Sequence, residues 1–140
     1  MINYFTEKIK FNLTKKNRTT KWISDSISEE LKLIGELNFI FCSDNYLLEI
    51  NKQYLKHDYY TDVITFDYSE GPSISGDVFI SIEQVEINAK TYSTEPGDEL
   101  RRVMIHGVIH LIGYKDETDE ERNTMRQMEN EALHLWLKMV

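Results

Sequence analysis

Cysteine and proline are scarce in this sequence of 140 residues, which contains one cysteine, Cys42, and two prolines. A lone cysteine excludes an intramolecular disulfide bond and a cysteine-based zinc finger. Long apolar runs are missing as well, since none approaches the roughly 20 residues that cross a bilayer. Residues 1–13 alternate polar and apolar side chains and lack the apolar core of a secretory signal peptide. These absences predict a cytoplasmic protein, not a membrane protein, that folds without disulfide bonds.

Length and composition predict one globular domain, residues 1–140. The chain is 41% hydrophobic and 29% charged, a balance typical of folded proteins. A chain of this length buries roughly two thirds of the surface that it exposes when unfolded. That suffices for one core and leaves no room for two independent ones.

Acidic residues outnumber basic ones, and the formal net charge is −8. This balance argues against a general nucleic-acid coat protein. The first 24 residues differ, because they hold six of the 16 basic residues and only one of the 24 acidic ones. Such a cluster suits a phosphate backbone, and it equally suits a solvated lysine-rich segment, so both interpretations stay open. Its members are Lys8, Lys10, Lys15, Lys16, Arg18 and Lys21.

The apolar periodicity predicts strands mixed with helices first and helices alone at the end. Strands are expected near the start and over 37–42, 61–68 and 76–81. Helices are expected over about 20–37 with Gly35 near the end, after Ser43 or Asp44, over 81–92, over 98–112 and from Thr118 onward. This is the pattern of an α+β (mixed α/β) fold, with a small, mostly parallel or mixed four-stranded sheet packed with about five helices.

The segment around His106 and His110 carries the chemistry. Residues four apart on a helix share one face, and Gly113 allows the chain to reverse so that Asp116 follows as a third ligand. Two neutral imidazoles and a carboxylate suit zinc and leave a fourth position for water, as in catalytic sites. The plainer alternatives are a satisfied surface pair of histidines and an Asp116 that caps the last helix. Thr118 already fits that capping role.

The segment H-G-V-I-H-L-I-G-Y-K-D, residues 106–116, resembles the signature of the YbeY family of bacterial metal-dependent endoribonucleases. The usual form of that signature is H-G-x-L-H-L-x-G-Y-D-H. Further blocks of the family match in order along the chain from residue 37. They are Asn51, Tyr54, Asp58, residues 61–66, residues 76–81 and residues 102–105.

The resemblance implies one Zn²⁺ per chain, held by His106, His110 and Asp116 in a cleft at the end of a helix. It also implies hydrolytic cleavage of single-stranded RNA, acting in 16S rRNA 3′-end maturation and in ribosome quality control. The implied partners are single-stranded rRNA and the small ribosomal subunit or ribosome-associated proteins.

Two positions depart from the family pattern. Asp116 replaces the third histidine, so water on the metal should be slightly less acidic than with three neutral ligands. Leu55 stands where the family usually has an arginine, so a phosphate clamp is missing at that point. Lys56, His57 or the N-terminal basic cluster could substitute for it.

Asp62 and Lys115 are the candidate catalytic residues. Asp62, like Asp77, could orient a histidine or position water, and Lys115 could contact phosphate beside Asp116. Each also has a plainer interpretation. An aspartate at the start of a strand often only binds a nearby backbone amide, and a lysine in a turn is often solvated.

Two other functions compete with the nuclease. Ligands at i, i+4 and i+10 are also the spacing of one class of zinc peptidases, but those enzymes need a glutamate directly after the first histidine, where this chain has Gly107. The second alternative is a ribosome-associated binding module whose metal only holds two helices together. Metal removal separates the cases, because a structural metal is needed for folding and a catalytic one for cleavage.

Overall fold

The computed structural model describes residues 1–139, in which four β-strands and five α-helices form. The strands are β1 (Ile2–Glu7), β2 (Leu33–Cys42), β3 (Val63–Asp67) and β4 (Ser73–Ser81). The helices are α1 (Lys16–Glu29), α2 (Asp44–Ile50), α3 (Ile82–Thr91), α4 (Pro96–Ile112) and α5 (Asp119–Lys138). A π-helical turn, Asn51–Leu55, continues α2.

The strands form one mixed sheet in the order β1-β2-β4-β3. β1 is parallel to β2 and β2 is parallel to β4, whereas β3 is antiparallel to β4 at the edge of the sheet. The short loop between β3 and β4 allows only antiparallel pairing, while α1 supplies the long crossover that the parallel pair β1–β2 requires. The predicted α+β fold with a mixed four-stranded sheet and five helices is confirmed.

Two hydrophobic clusters form the core. In the larger cluster, Phe39 and Val78 of the sheet pack with residues of α1, α4 and α5. Trp22 of α1 meets Trp136 of α5 edge to face, and the Trp22 indole donates a hydrogen bond of 2.6 Å to the carbonyl of Ala132. The smaller cluster places Leu47 of α2 against Cys42 and Ile64.

The predicted helix over about 20–37 is wrong at its C-terminal end. α1 ends at Glu29, and Leu31 adopts a left-handed conformation with φ 58°. The amide of Lys32 then donates to the carbonyl of Ile27, which closes the helix end. The chain continues directly into β2, where Gly35 has Ser75 so close that a Cβ would lie 2.1 Å from its Oγ. Gly35 therefore serves close strand packing rather than a helix end.

Gly107 sets the distance between α4 and the sheet. A Cβ at this position would lie 2.7 Å from Val78 Cγ1 and 3.3 Å from Thr65 Cγ2. Because real Cβ atoms do not approach closer than about 3 Å, any side chain would push the helix away from β3 and β4. The glycine thus brings the neighbouring His106 close to β3 and to the loop before it.

Candidate metal site and cleft

Three polar side chains converge where α4 ends. His106 and His110 lie on α4, and Asp116 lies in the loop between α4 and α5. The two Nε2 atoms are 3.0 Å apart. Asp116 Oδ2 lies 3.3 Å from Nε2 of His106 and 3.4 Å from Nε2 of His110. All three residues are half-buried, so the group they form, the His-His-Asp group, remains accessible to solvent.

The local sequence explains why these side chains meet. α4 ends at Gly113, which adopts φ 123° and lets the chain turn back beside the helix. Thr118 then starts α5 with a reciprocal capping box to Glu121. The loop between the two helices is therefore short and fixed at both ends, and it holds Asp116 against the histidines.

Each histidine uses its other ring nitrogen within the protein. His106 Nδ1 lies 2.6 Å from Glu129 Oε2, and His110 Nδ1 lies 2.9 Å from the carbonyl oxygen of Tyr114. A carboxylate and a carbonyl can only accept, so both Nδ1 atoms carry the proton. Both Nε2 atoms then present lone pairs to the same point.

The converging atoms are all hydrogen-bond acceptors. Two imidazole lone pairs and a carboxylate oxygen within 3.4 Å of one another repel unless a positive charge lies among them. Their ligand atoms all lie within 4.8 Å of one another, so the His-His-Asp group could hold a metal ion. The donor set therefore fits a metal ion.

A buried ionic cluster lies behind His106. Glu129 of α5 and Glu99 of α4 are buried, at 2% and 3% exposure. Arg102 lies between them, with Nη2 2.5 Å from Glu99 Oε2 and Nη1 3.3 Å from Glu129 Oε1. The same guanidinium lies 3.8 Å from Asp62 Oδ2. One arginine therefore joins both buried carboxylates to the cleft.

Glu129 and Arg102 stay ionised near neutral pH. Burial by itself raises the pKa of Glu129, but the hydrogen bond to His106 and the nearby positive charges outweigh it and lower the pKa. Hydrogen bonds to Glu99 raise the pKa of Arg102, against the opposing effect of burial. Glu129 thus faces His106 as a carboxylate.

The His-His-Asp group opens into a cleft. Its other walls come from the segment between Asn51 and Thr65, which includes the loop before β3 and most of that strand. Asn51 is buried and fixes this loop, because its Nδ2 donates to the carbonyl of Tyr59 at 2.9 Å and its own carbonyl accepts from the His57 amide at 3.1 Å.

The predicted catalytic residues take different positions. Asp62 lines the cleft, and its Oδ2 accepts a hydrogen bond of 3.1 Å from Asn88. Lys115 is exposed directly before Asp116 in the loop between α4 and α5. Asp77 faces away from α4, because the adjacent Val78 faces Gly107, and its carboxylate is bound by Asn38 and Tyr68.

Leu55 lines the cleft where a family arginine is expected, so no cation occupies that part of the wall. Of the proposed substitutes, His57 also lines the cleft, and its ring stacks on Tyr59 with centroids 5.1 Å apart. Lys56 is exposed.

Half of the N-terminal basic cluster is engaged within the protein. Arg18 donates to the carbonyls of Trp136 and Met139, and its guanidinium lies 3.9 Å from the Trp136 ring centroid. Lys21 forms an ion pair with Asp25, and Lys16 lies over the ring of Tyr4. These three contacts favour a structural interpretation for this half.

Sequence reasoning did not find Glu129 as a neighbour of His106. The two residues are 23 positions apart and lie on different helices. A glutamate in a charged amphipathic helix is usually exposed. The one signal in the sequence is that Glu129 is a charged residue on the face of α5 that otherwise carries apolar side chains.

Fold and site together define a small α+β protein with a three-residue group in an open cleft that could hold a metal ion. The model of the family Endoribonuclease YbeY matches residues 1–136. The chain therefore belongs to the YbeY endoribonuclease family, a family of nuclease hydrolases.

Named relatives agree with this assignment. The Endoribonuclease YbeY of Bacteroides fragilis is 51% identical over 132 residues, which cover 94% of this chain and 95% of the relative. The Endoribonuclease YbeY of Flavobacterium psychrophilum is 51% identical over 132 residues, 94% of each chain. A solution structure of a Thermotoga maritima protein superposes with a TM-score of 0.65 at 25% identity, covering 97% of this chain and 91% of that one.

Proposed function

We propose that residues 1–140 form one catalytic domain, a zinc-dependent endoribonuclease that cleaves single-stranded RNA in the cytoplasm. Its place is 16S rRNA 3′-end maturation and ribosome quality control, with the small ribosomal subunit or ribosome-associated proteins as partners. The observation that carries the proposal is the convergence of three acceptor atoms of the His-His-Asp group. Family membership supports RNA as the substrate, since the relatives are named endoribonucleases.

The spacing of the His-His-Asp group supports zinc. Tetrahedral zinc takes nitrogen and oxygen ligands at about 2.0–2.2 Å, which places the ligand atoms about 3.3–3.5 Å apart. The three distances in the His-His-Asp group are 3.0, 3.3 and 3.4 Å. With three protein ligands, a fourth position is left for water or for a phosphate oxygen.

Hydrolysis adds water across a phosphodiester P–O bond. A bound Zn²⁺ supplies Lewis acidity and lowers the pKa of water, so that hydroxide is available at neutral pH. Asp62 lines the same cleft, and we assign it the role of orienting the attacking water, while Asn88 holds its carboxylate. Exposed Lys115, next to Asp116, is assigned to contact the phosphate.

The cleft wall supports a preference for unpaired RNA. Tyr59 lines the cleft with 56% of its surface exposed, and it stacks on His57. Neighbouring Tyr60 is 53% exposed. Exposed rings provide stacking faces for bases that are not paired, whereas a duplex keeps its bases inside.

The test is cleavage of a single-stranded fragment from the 3′ region of 16S rRNA by the zinc-loaded protein. His110→Ala removes one ligand, and cleavage should fall about 100-fold or more. The matched control is His134→Ala, because His134 is exposed on α5 away from the cleft, and this variant should retain full activity. Equal cleavage by wild type and His110→Ala would contradict the proposal, as would equal cleavage of the same fragment annealed to its complement.

A binding module with a structural metal is the second candidate, and the exposed Leu55 in the cleft favours it, because an arginine clamp for phosphate is absent there. Chelation separates the two. A catalytic site predicts a metal-free protein that stays folded by circular dichroism and loses cleavage. A structural site predicts unfolding on chelation.

A further inference from the structure

The contact between Glu129 and His106 joins the last helix to the metal-binding helix. Glu129 Oε2 lies 2.6 Å from His106 Nδ1, the shortest of the contacts that the two histidines make. Glu129 is 2% exposed, and it belongs to α5, whereas His106 belongs to α4. The orientation of one ligand therefore depends on the docking of a second helix.

A carboxylate at this place is costly for the core. Removing a charge from water costs several kcal/mol unless it is well paired, and an apolar side chain would fill the same space at lower cost. Glu129 shares Arg102 with Glu99, which is 3% exposed, and a second guanidinium, that of Arg126, lies 3.8 Å from Glu129 Oε1. Both guanidinium contacts of Glu129 are made by Oε1, so the other oxygen, Oε2, is left for the imidazole of His106.

We propose that Glu129 is a positioning residue for the metal site. Its carboxylate accepts a hydrogen bond from the Nδ1–H of His106, which fixes the ring so that the lone pair of Nε2 points toward His110 and Asp116. A carboxylate behind an imidazole also makes the opposite nitrogen a stronger metal ligand. The inference rests on the metal-binding part of the proposed function and does not depend on RNA.

Glu99 provides a matched control. It is as buried as Glu129 and bonds to the same Arg102, but its hydrogen bonds go to the arginine and not to a histidine. A general loss of charge or packing in this cluster should therefore affect Glu99→Ala and Glu129→Ala alike. An effect through His106 should appear in Glu129→Ala alone and should be rescued in part by Glu129→Gln, which keeps an acceptor oxygen.

The first measurement reads the His106 tautomer in the metal-free protein by long-range ¹H–¹⁵N NMR. Wild type, Glu99→Ala and Glu129→Gln should keep the proton on Nδ1, and Glu129→Ala should lose this preference. The second measurement is zinc affinity by competition with a chromophoric chelator. Glu129→Ala should weaken affinity by about 10–100-fold relative to Glu99→Ala, and Glu129→Gln by less.

An unchanged tautomer in Glu129→Ala, together with zinc affinity equal to that of Glu99→Ala, would overturn the inference. If either alanine variant does not fold, Glu129→Gln and Glu99→Gln give the same comparison through zinc affinity, and equal affinities would again overturn it. Neither readout involves RNA. A protein that shows the Glu129 effect but cuts no RNA would refute the nuclease and leave the positioning role standing.

Discussion

At the scale of single residues, Cys42 shows how strongly position controls chemistry in this fold. Its thiol lies at the end of β2 in the smaller hydrophobic cluster, fully buried, and donates to the carbonyl of Ile80 at 3.4 Å. Burial raises the pKa of the Cys42 thiol to about 12, and the negative charges of Asp44, Glu7 and Glu83 add to this. The thiolate, which is the reactive form, is therefore strongly disfavoured.

Native protein at pH 8 should consequently resist alkylation by iodoacetamide, while protein in denaturant should react fully.

The same pKa predicts lower stability in alkali. Between the ordinary value of 9.0 and about 12, the unfolded thiol releases a proton that the folded thiol keeps. The free energy of unfolding should therefore fall as pH rises through this window. In Cys42→Ala the fall should be smaller, and an identical pH dependence in both proteins would contradict the assigned pKa.

The members of the His-His-Asp group could be predicted from the sequence, but the residues that hold them in place could not. His106 and His110 are spaced to lie on one helix face, and Gly113 indicates a turn that brings Asp116 back toward them. Local sequence spacing is therefore enough to predict that the three residues meet. Glu129 meets His106 only because α5 packs against α4, and no local spacing encodes that contact. The same limit applies to Asp62, whose partner Asn88 lies 26 residues further along the chain.

At the scale of elements, the end of α1 was the clearest error of prediction. Apolar residues continue at helical spacing through Ile34, and the usual stop signal, a glycine after the last turn, is missing. Leu31 takes the left-handed position instead, with φ 58° and 89% of its surface exposed. By contrast, the capping-box pattern of Thr118 and Glu121 predicts the start of α5, and the capping box forms as predicted.

Leu31→Gly should stabilise the protein. A left-handed conformation costs a branched residue about 1–2 kcal/mol, and glycine avoids this cost but gains entropy when unfolded, so the net gain should be about 0.5–1 kcal/mol. The exposed leucine gives up little buried surface. The free energy of unfolding in urea measures the effect. Ser28→Gly, at an exposed position inside the last turn of α1, is the control and should destabilise by about 1 kcal/mol. A loss of stability in both variants would contradict the argument.

At the scale of the whole molecule, the fold class follows from the order of strands and helices, and it was predictable for that reason. The distribution of charge over the surface was less predictable from the sequence. Arg18, Lys16 and Lys21 bind within the chain, so the N-terminal cluster offers fewer free cations than its sequence indicates. No helix among residues 1–139 combines the length and the apolar character that a membrane span requires.

A net charge of −8 repels a polyanion, and Leu55 leaves the cleft without the expected arginine. A bound divalent ion at the His-His-Asp group would then be the largest positive charge in the cleft. Binding and cleavage of RNA should therefore both depend on the metal.

The most direct test of that claim is a titration of zinc into the metal-free protein, with the rate of cleavage of single-stranded 16S rRNA fragment measured at each addition. The rate should rise in proportion to zinc and stop rising at one ion per chain. A rate that does not change with zinc, or that keeps rising well beyond one equivalent, would contradict a single catalytic metal held by His106, His110 and Asp116.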